Sequence, residues 1–362
     1  MSMIHGGNII ATAKQLGCRI SDLTDMSSNL SPFAPAPDLL KTLRAQLDEI
    51  AYLPETDSES LCALYAAHHD LARDQVLAGS GTTEYIFSIP ATTDVSRGII
   101  VNPTYSDYHL ASIRAGLETT TFPLRMAEDF QLDLDRLSRI LKGDELVFLC
   151  NPNNPTGNLV PTLQLYEFVC SHPGSRFLID ETYLPFIKEK SLFELPIPGN
   201  LYILRSFSKI YNIPGLRLGF VVASTDNIQR LVSSQRPWGV NRLAQIAGEH
   251  LIQHGESEVG RVADFIEKQR PLFVAALAKL PGIQVVPGRT HFILSYLSGT
   301  MRAEPLRNAL LQNRIMIRNC ANFAGLDDRY FRLSLKDESG NRKCIAALQK
   351  ALANEQTKKV NT

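Results

Sequence analysis

The sequence predicts an α/β fold built on a largely parallel sheet with helices on both faces. Short apolar or β-branched runs alternate with amphipathic stretches along most of the chain: Gly98–Val101, Leu146–Cys150, Phe177–Ile179, Leu201–Leu204 and Gly219–Val222. Ionisable or turn-forming residues stand at the carboxyl ends of these runs, where ligands bind in open α/β sheets. After a long mixed-charge helix between about Glu258 and Leu280, the pattern changes to short strands at Gly282–Val286 and His291–Tyr296, so a second, smaller α+β domain is expected there.

With 362 residues, 44% of them hydrophobic, the chain is long enough for two cores. A formal charge of zero argues against a nucleic-acid or acidic-membrane partner and for a small-molecule one. No apolar run approaches the length of a bilayer span, and Met1–Thr12 has neither a basic leader nor a long apolar segment, so a cytoplasmic protein is expected. The six cysteines show no paired close spacing, which gives no support to a disulfide framework or a zinc site. The polar tail after Ala353 is expected to fray.

Chemistry concentrates first in Ser206-Phe207-Ser208-Lys209, followed by Gly215-Leu216-Arg217-Leu218-Gly219. A lysine amine of lowered pKa forms a Schiff base with a carbonyl, and serine hydroxyls with a guanidinium suit a phosphate dianion beside it. Pyridoxal phosphate carries both groups. The turn Asn151-Pro152-Asn153-Asn154-Pro155-Thr156-Gly157 closes the apolar run 146–150, and Arg176–Ile179 ends in Asp180-Glu181-Thr182-Tyr183. Found singly, these would be turn chemistry and a helix cap. Their order along one chain is what carries the argument.

In that order the motifs resemble those of the fold-type I pyridoxal phosphate enzymes, in the branch that holds histidinol-phosphate aminotransferases and threonine-phosphate decarboxylases. The resemblance runs nearly end to end, from His5-Gly6-Gly7-Asn8 through Asp25–Pro32, Gly79–Glu84 and Asn102–Tyr105 to Arg318 and Arg332. It implies a mostly parallel seven-stranded sheet sandwiched by helices and a smaller, discontinuous α+β domain. Residues 1–47 would pack with the small domain, 48–255 would form the large cofactor-binding domain, and 256–362 the small C-terminal domain.

The resemblance also implies residue roles. Lys209 would hold the aldehyde and move a proton at the substrate's Cα, and Asp180 would lie against the pyridine nitrogen. Asn154 and Tyr183 would hydrogen-bond the ring oxygen, and Tyr105 would stack on the ring. Gly81, Thr82 and Thr83, opening a helix, would receive the phosphate with Ser206, Ser208 and Arg217. Tyr52 would reach the phosphate of a neighbouring subunit, which implies a homodimer with shared sites.

For the substrate, Arg332 would bind the α-carboxylate and Arg318 a second anion, with Asn29 and Asn154 alongside. His5 would help hold a substrate phosphate. The His5-Gly6-Gly7-Asn8 signature, Arg236–Asn241 and Arg318–Leu326 resemble the decarboxylases of cobalamin biosynthesis more than the aminotransferases. The expected reaction is decarboxylation of O-phospho-L-threonine to aminopropanol phosphate, or of O-phospho-L-serine to ethanolamine phosphate. One methyl group separates these substrates by only about 1–3 kcal/mol. The alternative is transamination of the histidinol-phosphate type. Departures from the family occur after Tyr52 (Leu53-Pro54-Glu55-Thr56) and after Asn29 (Leu30-Ser31-Pro32-Phe33), the latter where substrate would enter. A complete set of Asn154, Asp180, Tyr183, Lys209 and Arg217 argues against a non-catalytic cofactor-binding protein.

Overall fold

The computed structural model describes residues 6–360. The chain begins with a helix, Ile9–Leu16, and a short strand, β1 (Thr24–Asp25). Seven strands then build the central sheet: β2 (Val76–Gly79), β3 (Arg97–Asn102), β4 (Glu118–Pro123), β5 (Glu145–Cys150), β6 (Arg176–Asp180), β7 (Leu201–Ser206) and β8 (Gly219–Ala223). The spatial order is β2-β8-β7-β6-β5-β3-β4, and only β8 runs against the rest. Strands β5 to β8 are almost wholly buried, which is why they read as continuous apolar runs rather than alternating ones.

The five runs singled out in the sequence are the cores of β3, β5, β6, β7 and β8. The two edge-side strands escaped that reading for different reasons. Strand β2 has only four residues, and β4, Glu-Thr-Thr-Thr-Phe-Pro, is mostly exposed and polar.

Register brings the functional segments to one edge. Cys150 pairs with Asp180, Asp180 with Leu204, and Gly219 with both Ser206 and Gly79. The carboxyl ends of β2, β3, β5, β6 and β7 therefore open on one side of the sheet, as ligand-binding α/β sheets do.

The long helix spans Glu256–Ala278, and the small sheet follows it: β9 (Ile283–Val285), β10 (Phe292–Leu297), β12 (Arg318–Asn319) and β13 (Tyr330–Ser334), in the order β12-β13-β10-β9. Strand β11 (Ile315–Met316) pairs in parallel with β1, which ties residues 24–25 to the small sheet's side of the molecule. The helix Pro37–Ala45 lies instead on the helix Arg242–His254, with Thr42 and Asp38 both within hydrogen-bond distance of His250. Contrary to the expected fraying after Ala353, the last helix runs Glu338–Val360; glutamate, glutamine and lysine propagate a helix well.

Candidate active site

The lysine sits one turn beyond β7, in the short helix Phe207–Ile210, and its carbonyl accepts a hydrogen bond from the Ser31 amide (3.0 Å). Burial, reinforced by the Arg217 and Arg332 cations, pulls the Lys209 amine down to about 8. A lysine that is partly neutral near physiological pH is a competent nucleophile toward an aldehyde.

Lys209 lines two adjoining cavities of about 150 Å³ each. The inner one is lined by Gly81, Thr82, Thr83, Tyr105, Asn154, Asp180, Tyr183, Ser206, Ser208 and Arg217, the whole set predicted for the cofactor apart from Tyr52. The outer one shares Tyr105, Asn154, Tyr183 and Lys209 and adds Asn29, Arg318 and Arg332. A larger hollow of about 670 Å³ opens beside Arg318 and Asn322, and Lys209 does not line it.

Backbone geometry makes one end of the inner cavity an anion cradle. Gly81 caps the eleven-residue helix Thr82–Thr92 with φ 76°, a left-handed conformation that side chains disfavour. A Cβ at Gly81 would stand 2.7 Å from Arg217 Nη2, and one at Gly219 would stand 2.7 Å from the Thr82 amide. These two glycines let strand end, helix start and guanidinium converge, and a helix N-terminus favours a dianion.

At the other end lies Asp180. Its Oδ1 accepts from the Thr182 amide (2.9 Å) and its Oδ2 from the Tyr108 hydroxyl (2.7 Å), while burial raises the carboxyl pKa. The Thr182 hydroxyl, also lining the cavity, is buried with no protein partner. Of the asparagines in the 151–157 turn, Asn151 bonds Val160 and Asn153 bonds Pro103, Thr104 and Thr156, so both brace the loop. Asn154 alone of the three faces both cavities.

Arg332 is buried on β13, donating to Asn154 Oδ1 and, at 2.8 Å, to the Ser27 carbonyl; its Nε has no partner. Arg318 is also buried and donates to Asn322 Oδ1 at 2.6 Å. Asn29 Oδ1 accepts from Ser334 Oγ (3.0 Å), leaving its buried Nδ2 unpaired. Two cations and two unpaired donors around one small cavity suit an anionic ligand. Tyr52 is 72% exposed and lies outside both cavities, while His5 falls outside the described residues.

Sequence reasoning missed Tyr108, Thr182, Asn322 and Phe323, all lining these cavities. Tyr108 carried a signal, since it lies three residues after Tyr105, the N-cap of the same helix. Asn322 and Phe323 lie in an irregular loop whose course only the tertiary structure sets.

The contents fit pyridoxal 5′-phosphate: a nucleophilic lysine midway, a buried carboxylate at one end and a glycine cradle with an arginine at the other. Fold and site together define a pyridoxal-phosphate-dependent enzyme of fold type I. Residues 21–348 match the aminotransferase class I and II family, and the chain belongs to it. It is 35% identical to a threonine-phosphate decarboxylase from Salmonella typhimurium, over 96% of both chains. Among solved structures, the L-threonine-O-3-phosphate decarboxylase of Porphyromonas gingivalis matches with a TM-score of 0.83 and 28% identity, covering 91% of this chain and 100% of that one. The histidinol-phosphate aminotransferase of Clostridium acetobutylicum matches at 0.85 and 25%, covering 92% and 100%. Among the described residues no helix is long and apolar enough to cross a membrane.

Proposed function

We propose that this enzyme decarboxylates a phosphorylated L-amino acid, O-phospho-L-threonine or O-phospho-L-serine, and that it serves cobalamin biosynthesis. The observation that carries this reading is the pairing of Arg332 and Arg318 in one cavity with Lys209, a match for a substrate that bears both a carboxylate and a phosphate. The 35% identity to a decarboxylase across nearly the whole of both chains favours loss of the carboxylate over transamination. The second reading, an aminotransferase of the histidinol-phosphate type, is supported by the TM-score of 0.85 to such an enzyme.

When bound, the cofactor supplies an acceptor for the electron pair left at the substrate's Cα. Arg332 would hold the α-carboxylate and Arg318 the phosphate, and together they would fix the orientation of the Cα–carboxylate bond. That bond breaks, carbon dioxide leaves, and Lys209 delivers a proton to Cα. Asp180 would face the ring nitrogen and favour its protonated form, Asn154 and Tyr183 would hold the ring oxygen, and Tyr105 would cover the ring face. Gly81, Thr82, Thr83, Ser206, Ser208 and Arg217 hold the cofactor phosphate. Tyr52 of the partner subunit completes that phosphate site in a homodimer, and in this reading the exposed Tyr52 belongs to the dimer interface. His5 contributes to the substrate phosphate.

Substrate preference tests the reading. Purified enzyme supplied with each phosphoamino acid should produce the corresponding amine phosphate. Inactivity on both, with turnover of histidinol phosphate and 2-oxoglutarate, would replace the first reading with the second.

A further inference from the structure

Asp180 is held by more than its own strand. It lies fully buried at the end of β6, where Oδ1 accepts from the Thr182 amide at 2.9 Å and Oδ2 from the Tyr108 hydroxyl at 2.7 Å, with the Thr182 side chain also beside the carboxylate. The Thr182 donor is backbone and follows from the turn after β6. The Tyr108 donor comes from a different element, the helix Ser106–Arg114, whose N-cap residue Tyr105 also lines the cavity.

Tyr108 is 1% exposed and its ring is fixed from two sides, tilted against Phe148 (centroids 5.9 Å) and edge-on to Tyr105 (5.7 Å). Phe148 lies on β5, so the ring is wedged between the sheet and its covering helix. The buried Cys150 thiol also lies beside the hydroxyl, whose hydrogen bond runs to Asp180. Burial beside the Asp180 carboxylate holds the phenol well above its usual range, so it remains a donor.

We infer that Tyr108 is a positioning residue for the cofactor's ring: its hydroxyl fixes the plane of the Asp180 carboxylate and keeps it ionised toward the ring nitrogen. Burial pushes the Asp180 carboxyl toward its neutral form, and a neutral acid is a poor partner for a protonated pyridine. A donor on Oδ2 opposes that drift and holds the carboxylate in one orientation, because a hydrogen bond to a charged group is stronger than one between neutral groups. The inference rests on the proposed contact between Asp180 and the ring nitrogen.

The test compares binding of two probes to the full chain freed of cofactor: pyridoxal 5′-phosphate and its 1-deaza analogue, in which a C–H replaces the ring nitrogen. The unsubstituted enzyme should prefer the natural cofactor. Tyr108→Phe should shrink that preference by about tenfold, the scale of one hydrogen bond to a charged group. An unchanged preference in Tyr108→Phe, with both affinities lowered equally, would mean that the residue only packs, and would overturn the inference. If the unsubstituted enzyme showed no preference at all, the Asp180 contact itself would be refuted, a separate failure. Should Tyr108→Phe not fold, Tyr108→His addresses the same point: a ring that still donates keeps the preference, and its loss in folded Tyr108→His protein would count against a hydrogen-bonding role.

Discussion

Arg332 Nη1 donates a hydrogen bond to Asn154 Oδ1, joining two residues 178 positions apart in sequence. Arg332 belongs to the small sheet and Asn154 to the turn after β5 of the large one, so this contact closes the floor of the outer cavity. The same guanidinium holds the Ser27 carbonyl at 2.8 Å, which brings the N-terminal segment into the arrangement. Three distant stretches of chain therefore meet at one cation, whose Nε has no protein partner.

Arg332→Lys should raise KM for the amino-acid substrate by roughly tenfold or more, since an ammonium cannot keep two donors on the protein and still present a fork. Steady-state kinetics of purified protein checks this. The apoprotein's unfolding temperature, measured alongside, separates lost binding from lost structure.

Lys209→Ala should lower turnover by roughly 10⁴, the upper range for a positioned acid or base, and should abolish covalent retention of the cofactor. Mass spectrometry after borohydride reduction should find the cofactor on Lys209 in the unsubstituted enzyme and nowhere on the variant.

Capture of cofactor by the apoprotein should accelerate as pH rises through about 8 and level off above it. The neutral amine is the nucleophile, and burial together with Arg217 and Arg332 lowers the pH at which it becomes available. Stopped-flow absorbance across pH 6 to pH 10 would show the profile. For a lysine of ordinary pKa the rate would still be climbing near about 10.4.

Gly81→Ala should weaken cofactor binding by about tenfold or more. The φ of 76° costs a side chain about 1–3 kcal/mol, and the new methyl would meet Arg217 Nη2. Equilibrium titration of the apoprotein measures the loss.

Asp180→Asn should reduce kcat by roughly 10²–10³, the scale of removing one electrostatic partner of the reacting system, with a smaller change in KM. An unaltered kcat would contradict the role proposed for the carboxylate.

The sheet was legible because its central strands are buried on both faces and so are written as unbroken apolar runs; β2 and β4, short or exposed, lack that signature. The residues lining the inner cavity were legible because glycine turns, Asp180 and Lys209 stand at strand ends, where sequence order maps directly onto one edge of the sheet. Partner choice was not. Which asparagine of Asn151, Asn153 and Asn154 faces the cavity depends on how the turn folds back on Val160 and Thr104. The bond from Tyr108 to Asp180 depends on a helix packing over β5, a contact of high sequence separation with no local mark beyond the spacing from Tyr105.

Carbon dioxide release is the most direct test of the proposed reaction. With O-phospho-L-threonine or O-phospho-L-serine labelled at the carboxylate, the enzyme should release labelled carbon dioxide in equal amount to the amine phosphate formed, with no keto acid required. Formation of glutamate analogues only when a keto acid is supplied, with the label retained in the substrate's carboxylate, would contradict the decarboxylase and make this enzyme an aminotransferase.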